Sequence, residues 1–205
     1  MLLLVSLALL GVARSQTVPQ CLCKDFLPCK ASTVQGILEC TDKCKKHVTD
    51  LGASYAGFRG CLTQSEPMFR SMLECQDRQL AGACTDKPGQ MVPKRYPETT
   101  KIAAFTEINS ILAKSGIEGE AKNFLANGKK FVTCIMKCSE KGAGSCLKKL
   151  NCGLALPPDN VLVQTTKKCA IDSGFNTPTV QKLCQCFVNS GLRDLQPICS
   201  KIRIS

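Results

Sequence analysis

Cysteine and lysine are the residue types that carry the chemistry of this 205-residue chain. Sixteen cysteines, an even number, can pair completely as disulfide bridges, whereas histidine occurs once and tryptophan not at all. Such a density of cysteine is typical of secreted domains held together by disulfides, because a reducing cytosol keeps thiols free. We therefore expect all of them to be oxidised, namely Cys21, Cys23, Cys29, Cys40, Cys44, Cys61, Cys75, Cys84, Cys134, Cys138, Cys146, Cys152, Cys169, Cys184, Cys186 and Cys199.

The cysteines divide into two groups of eight, separated by a cysteine-free stretch between Cys84 and Cys134. This division lets each half close its own bridges, and it predicts two small helical subdomains, residues 16–93 and residues 94–205. The pairing stays open, since eight cysteines alone allow about a hundred connectivities. Residues 86–97 hold three prolines and a glycine without helical periodicity. This composition predicts a linker or an extended crossing.

Two spacings constrain the geometry of the bridges. In the Cys-x-Cys pair near each end of the chain, the two side chains point apart, so each cysteine should bond elsewhere. A Cys-x3-Cys pair occurs in each half, at Cys40 and Cys44 and again at Cys134 and Cys138. On a helix this spacing puts both sulfurs on one face. We expect these sulfurs to staple two partner segments rather than each other.

The first residues of the chain have the features of a secretory signal. Residues 2–12 are an apolar run, and Ala13 and Ser15 supply the small residues that precede a cleavage before Gln16. At ~1.5 Å per residue the run covers about 16 Å, roughly half of a bilayer core of ~30 Å. We therefore predict a cleaved signal peptide over residues 1–15, not a membrane anchor, and a secreted, extracellular protein.

Helix start and stop signals recur along the chain and favour an all-α, disulfide-stapled fold. The one Asn-Gly, at Asn127-Gly128, lies between two helical patterns. In the segment 129–141, an apolar stripe that includes Val132 is predicted to pack inward, while the lysines face water. Predicted helix starts lie at Ser32-Thr33, at Ser65-Glu66-Pro67, at Thr99-Thr100, at Asp159, which is expected to cap its helix, and at Thr177-Pro178.

The basic excess belongs to the second half of the chain. Residues 16–93 hold nine basic and eight acidic residues, whereas residues 94–205 hold seventeen and eight. The excess indicates either a solvated surface or a patch for an anionic partner, such as a sulfated glycan, an acidic membrane or an acidic receptor face. Nucleic acid is not expected, because stacking aromatic residues are scarce. The candidate basic patch consists of Lys129, Lys130, Lys137, Lys141, Lys148, Lys149, Lys167 and Lys168.

Neither a catalytic nor a metal-binding motif occurs in the sequence. The single histidine, His47, is expected near the C-terminal end of a helix, and disulfides leave no thiols for zinc. We therefore expect no enzyme activity, no metal and no cofactor. The leading hypothesis is a secreted, disulfide-rich binding protein, an extracellular ligand or modulator that presents a rigid helical surface to a protein, an anionic glycan or a membrane. The alternatives are a defence or venom-type effector that acts on membranes or channels, and a carrier of a small apolar ligand.

Overall fold

The computed structural model describes residues 16–30, 33–141 and 143–204. Helices take up 71% of the described residues, which also form one short two-stranded ribbon, so the prediction of an all-α, disulfide-stapled fold is confirmed. Among the described residues, no helix combines the length and the apolar character that crossing a bilayer requires. The predicted signal peptide and the helix start at Ser32 lie outside the described residues.

Most of the described chain consists of helices joined by short loops. The ribbon pairs β1 (Thr17–Pro19) with β2 (Met91–Pro93) in antiparallel register, so the middle of the proline-rich stretch 86–97 is extended. A 3₁₀ turn, Arg193–Leu195, precedes the last helix. The α-helices are α1 Cys23–Lys30, α2 Thr33–Lys43, α3 Lys45–Thr49, α4 Tyr55–Gln79, α5 Pro97–Ser115, α6 Glu118–Lys141, α7 Ala143–Lys149, α8 Asp159–Asp172, α9 Thr177–Asn189 and α10 Gln196–Cys199.

All sixteen cysteines form disulfide bridges, as the sequence predicts. Six of the eight bridges join one half of the chain to the other, so the expectation that each half closes its own bridges is wrong. The Cys-x-Cys neighbours bond elsewhere, as expected from their geometry. The bridges are Cys21–Cys152, Cys23–Cys84, Cys29–Cys146, Cys40–Cys138, Cys44–Cys134, Cys61–Cys186, Cys75–Cys169 and Cys184–Cys199.

The hydrophobic core also draws on both halves. Phe58 of α4 stacks on Phe187 of α9, with ring centroids 4.9 Å apart, and meets the ring of Phe131 of α6 edge to face at 5.6 Å. Such aromatic pairs add to the free energy gained by burying apolar area. The buried members of the cluster are Val48, Ala53, Phe58, Ile117, Cys184, Leu192, Leu195, Ile198 and Cys199.

Helix α4 is longer than the sequence signals predict. The predicted start at Ser65-Glu66-Pro67 is wrong, because α4 continues through Pro67. The buried hydroxyl of Ser65 donates to the carbonyl of Cys61, 3.1 Å away, so this side chain is satisfied within the helix and caps nothing. Bridges at Cys61 and Cys75 hold α4 on both sides of the proline. These anchors offset the backbone hydrogen bond that a proline removes.

Three further local expectations are wrong. Asn127-Gly128 does not separate two helices, because both residues lie inside α6. Val132 does not pack inward, since 43% of its surface is exposed. Asp159 starts α8 but does not cap it, because Pro158 occupies the capping position. The Asp159 carboxylate accepts a hydrogen bond of 2.7 Å from the Thr100 hydroxyl and thereby joins α8 to α5.

Gly191 follows the C-terminal end of α9, and there the backbone lies very close to the backbone of Gly52 and Ala53. Its φ of 115° is a conformation that residues with a side chain rarely adopt. A Cβ at this position would lie 2.5 Å from the carbonyl oxygen of Gly52 and 2.9 Å from Cα of Ala53. The loop before α4 therefore packs directly on the end of α9, and the three nearest atoms that a side chain would meet all belong to the backbone.

We predict that Gly191→Ala destabilises the protein by about 2–5 kcal/mol, the sum of backbone strain and overpacking. The matched control is Gly89→Ala, since Gly89 has the same φ of 115° with no atom within 4 Å of the added Cβ. In this control, the loss of stability comes from the backbone strain alone. Urea denaturation under non-reducing conditions measures both values, and equal losses in the two variants would contradict the close packing at Gly191.

Candidate functional site

A groove of about 1020 Å³ lies between α2 and α3 on one side and α6 on the other. It is the place where the second half of the chain, through α6, meets the first. Glu39 of α2 is the one acidic side chain among the described residues that line it, and His47 of α3 lies in its wall. The basic lining residues are Lys43, Lys129, Lys130, Lys137 and Lys141.

Two disulfide bridges hold the walls of the groove together. Cys40 bonds to Cys138 and Cys44 to Cys134, with Cα–Cα distances of 5.6 and 5.9 Å. Cys44 follows Cys40 by four residues and lies just after the end of α2, whereas its partner Cys134 precedes Cys138 by four residues in α6, so the two segments run antiparallel. The two sulfurs of each Cys-x3-Cys pair do not bond to each other, as predicted. Cys40 and Cys44 both bond to α6, and Cys134 and Cys138 both bond to one continuous stretch around the end of α2, so neither pair joins two separate segments.

Positive charge outweighs negative charge in the groove, where the described lining residues include five lysines and one glutamate. All five lysines are exposed, and within the described ranges none of them forms an ion pair. Lys130, Lys137 and Lys141 follow one face of α6 over about 16 Å, at 1.5 Å per residue. A cleft lined by charge of one sign concentrates counter-ions and attracts anionic partners.

The structure divides the eight lysines of the predicted basic patch. Half of them line the groove, whereas Lys148 and Lys149 lie on α7, outside the groove lining. Lys167 forms an ion pair of 2.8 Å with Glu107, and Lys168 borders a separate cavity of about 310 Å³. Lys43 is absent from the predicted basic patch, because Lys43 belongs to the nearly neutral half of the sequence. Its position next to Cys44, which is bridged to α6, is the feature that could have placed it in the groove.

His47 lies in the last turn of α3, where the sequence places it. Its Nδ1 is 3.8 Å from a carboxylate oxygen of Asp50, which is too long for a hydrogen bond. Across the described part of the chain, no group of three or more histidine, cysteine or acidic side chains is arranged to hold a metal ion.

A polar cluster fixes the α2 wall against α4. The Asp42 carboxylate accepts hydrogen bonds from Nε of Arg59 at 2.7 Å, from Nη2 of Arg59 at 3.2 Å and from the Tyr55 hydroxyl. The hydrogen bonds from Arg59 and then from Tyr55 lower the pKa of Asp42. Burial and, next, the hydrogen bond to Asp42 raise the pKa of Tyr55 to about 12.

We predict that Tyr55 stays protonated at pH values where a free tyrosine ionises. The raised pKa contributes stability that is fully present below the unfolded pKa of about 10, and this stability is lost as the pH rises through 12. In the Tyr96→Phe variant, near-ultraviolet absorbance at a pH of about 11 should show little phenolate. Adding Asp42→Asn should increase the phenolate signal at that pH. A midpoint near pH 10 in the first variant would contradict the cluster.

We also predict that the two groove bridges are coupled. While Cys40–Cys138 is intact, the Cys44–Cys134 bridge closes a loop of only a few residues on each helix, and its removal by paired alanine substitutions costs about 2.5 kcal/mol. Once one bridge is gone, the other closes a much longer loop. The loss on removing both bridges should therefore exceed the sum of the two single losses by about 1 kcal/mol or more.

Non-reducing urea denaturation of the two single variants and the double variant measures this coupling. The control combines the loss of Cys44–Cys134 with the loss of Cys75–Cys169, which joins α4 to α8 and should give additive effects. Additive losses at the two groove bridges would show that they act independently.

No protein family, curated protein or solved structure matches this chain.

Proposed function

We propose that this protein is a secreted, non-enzymatic binding protein whose lysine-lined groove binds an anionic partner outside the cell. The observation that carries the proposal is the set of five exposed lysines, without ion pairs among the described residues, around one groove that contains a single glutamate. Lysine ammonium groups are mobile point charges, and they suit attraction to several anionic groups at once.

The disulfides support the secreted location. Eight bridges form and persist in an oxidising compartment, whereas the cytosol reduces such bonds. This agrees with the signal peptide predicted for residues 1–15. The bridges also hold both walls of the groove before a partner arrives, so the partner need not order the protein on binding.

The experiment is salt elution from immobilised heparin, a polyanion that serves as a probe. We predict that Lys130→Gln with Lys137→Gln lowers the affinity about tenfold, because each exposed charge contact contributes on the order of 1 kcal/mol or less. The elution salt should fall accordingly, since ions screen such contacts. The matched control, Lys148→Gln with Lys149→Gln, removes the same charge outside the groove lining and should change elution much less.

Two outcomes would contradict the proposal. Elution of the unmodified protein at ordinary ionic strength would leave the lysines as a solvated surface. Equal losses in the groove variant and the control variant would show that net charge, and not the groove, attracts the polyanion.

A further inference from the structure

A small apolar pocket of about 80 Å³ lies between α2 and α4, next to the groove. Its described lining residues are aliphatic or aromatic except for Glu66, whose carboxylate accepts hydrogen bonds of 3.0 and 2.5 Å from Arg70. That charge is therefore compensated on the protein itself. The other lining residues are Ile37, Leu38, Leu62, Phe69, Met72 and Leu73.

The pocket and the lysine groove meet at one side chain. Ile37 lines both, and 45% of its surface is exposed. It precedes Cys40 by three residues on α2, and Cys40 lines the groove through its bridge to Cys138. The groove and the apolar pocket therefore border each other at Ile37.

The size of the pocket limits what fills it. An apolar cavity of ~150 Å³ is enough for benzene, so about half that volume accepts a branched aliphatic group such as the end of a leucine side chain. A long acyl chain does not fit. A single-chain fatty acid would also bring one negative charge to a groove with five lysines.

We propose that the groove binds an acidic polypeptide segment, whose carboxylates lie along the lysines while one leucine-sized side chain enters the pocket. This inference rests on the proposed function and names its partner class. A sulfated glycan matches the charge of the groove but has no apolar group for the pocket. Apolar anchors beside charged contacts are typical of protein interfaces, in which a few buried side chains supply most of the affinity.

Fluorescence anisotropy with synthetic peptides tests the inference at about 0.15 M salt. The probes are a labelled all-glutamate peptide and the same peptide with one leucine placed at each position in turn. We expect the best leucine peptide to bind about tenfold more tightly than the all-glutamate peptide, because the leucine gains burial. In the Ile37→Ser variant this ratio should fall to about one.

The matched control is Ile102→Ser, which replaces an isoleucine on α5 that is 66% exposed and lines neither cavity. This variant should keep the tenfold ratio. Equal affinity for all peptides, with heparin still bound, would overturn the acidic-polypeptide partner and leave the proposed function standing. Failure to bind both the peptides and heparin would overturn the two proposals together.

Discussion

Disulfide bonding between the two halves of the chain is the constraint on which the rest of the structure depends. The buried cluster holds few large apolar side chains, and α5 buries none of its residues. A chain of this size usually relies on a larger packed interior. Here the six bridges across the halves limit the unfolded chain instead, in the way that cross-links stabilise small secreted domains. The fold is therefore held as much by covalent connection as by burial.

The same constraint explains how a groove with five lysines persists. Like charges on facing helices repel each other, and this repulsion favours separation of α2 from α6. Two consecutive bridges, Cys40–Cys138 and Cys44–Cys134, prevent that separation. On the opposite side, Asp42 and Arg59 hold α2 to α4. The bridges thus hold the groove in place against this repulsion, and a cleft lined by charge of one sign attracts counter-ions.

The sequence predicts the oxidation of the cysteines and the class of the fold better than it predicts which segments lie next to each other. Helical periodicity and cysteine count lead correctly to an all-α fold with complete oxidation. The spacing of Cys40 and Cys44 also shows that both sulfurs share a face. The partner of that face is a matter of tertiary structure, because many pairings satisfy the same spacing. The helix start predicted at Pro67 is wrong for a related reason. Cys61 and Cys75 hold α4 on both sides of Pro67 through bridges to cysteines far along the sequence.

The charges of the candidate site also show that the sequence does not reveal which residues are neighbours. A count of charges along the sequence assigns the basic excess to residues 94–205 and puts Lys167 and Lys130 in the same predicted patch. In the structure, Lys167 is neutralised by Glu107, whereas Lys43 from the other half joins the groove. Electrostatic attraction depends on distance and not on sequence separation. A bridge that crosses the halves therefore shapes the candidate groove as well as the fold, because it decides which charges lie together and which apolar pocket lies beside them.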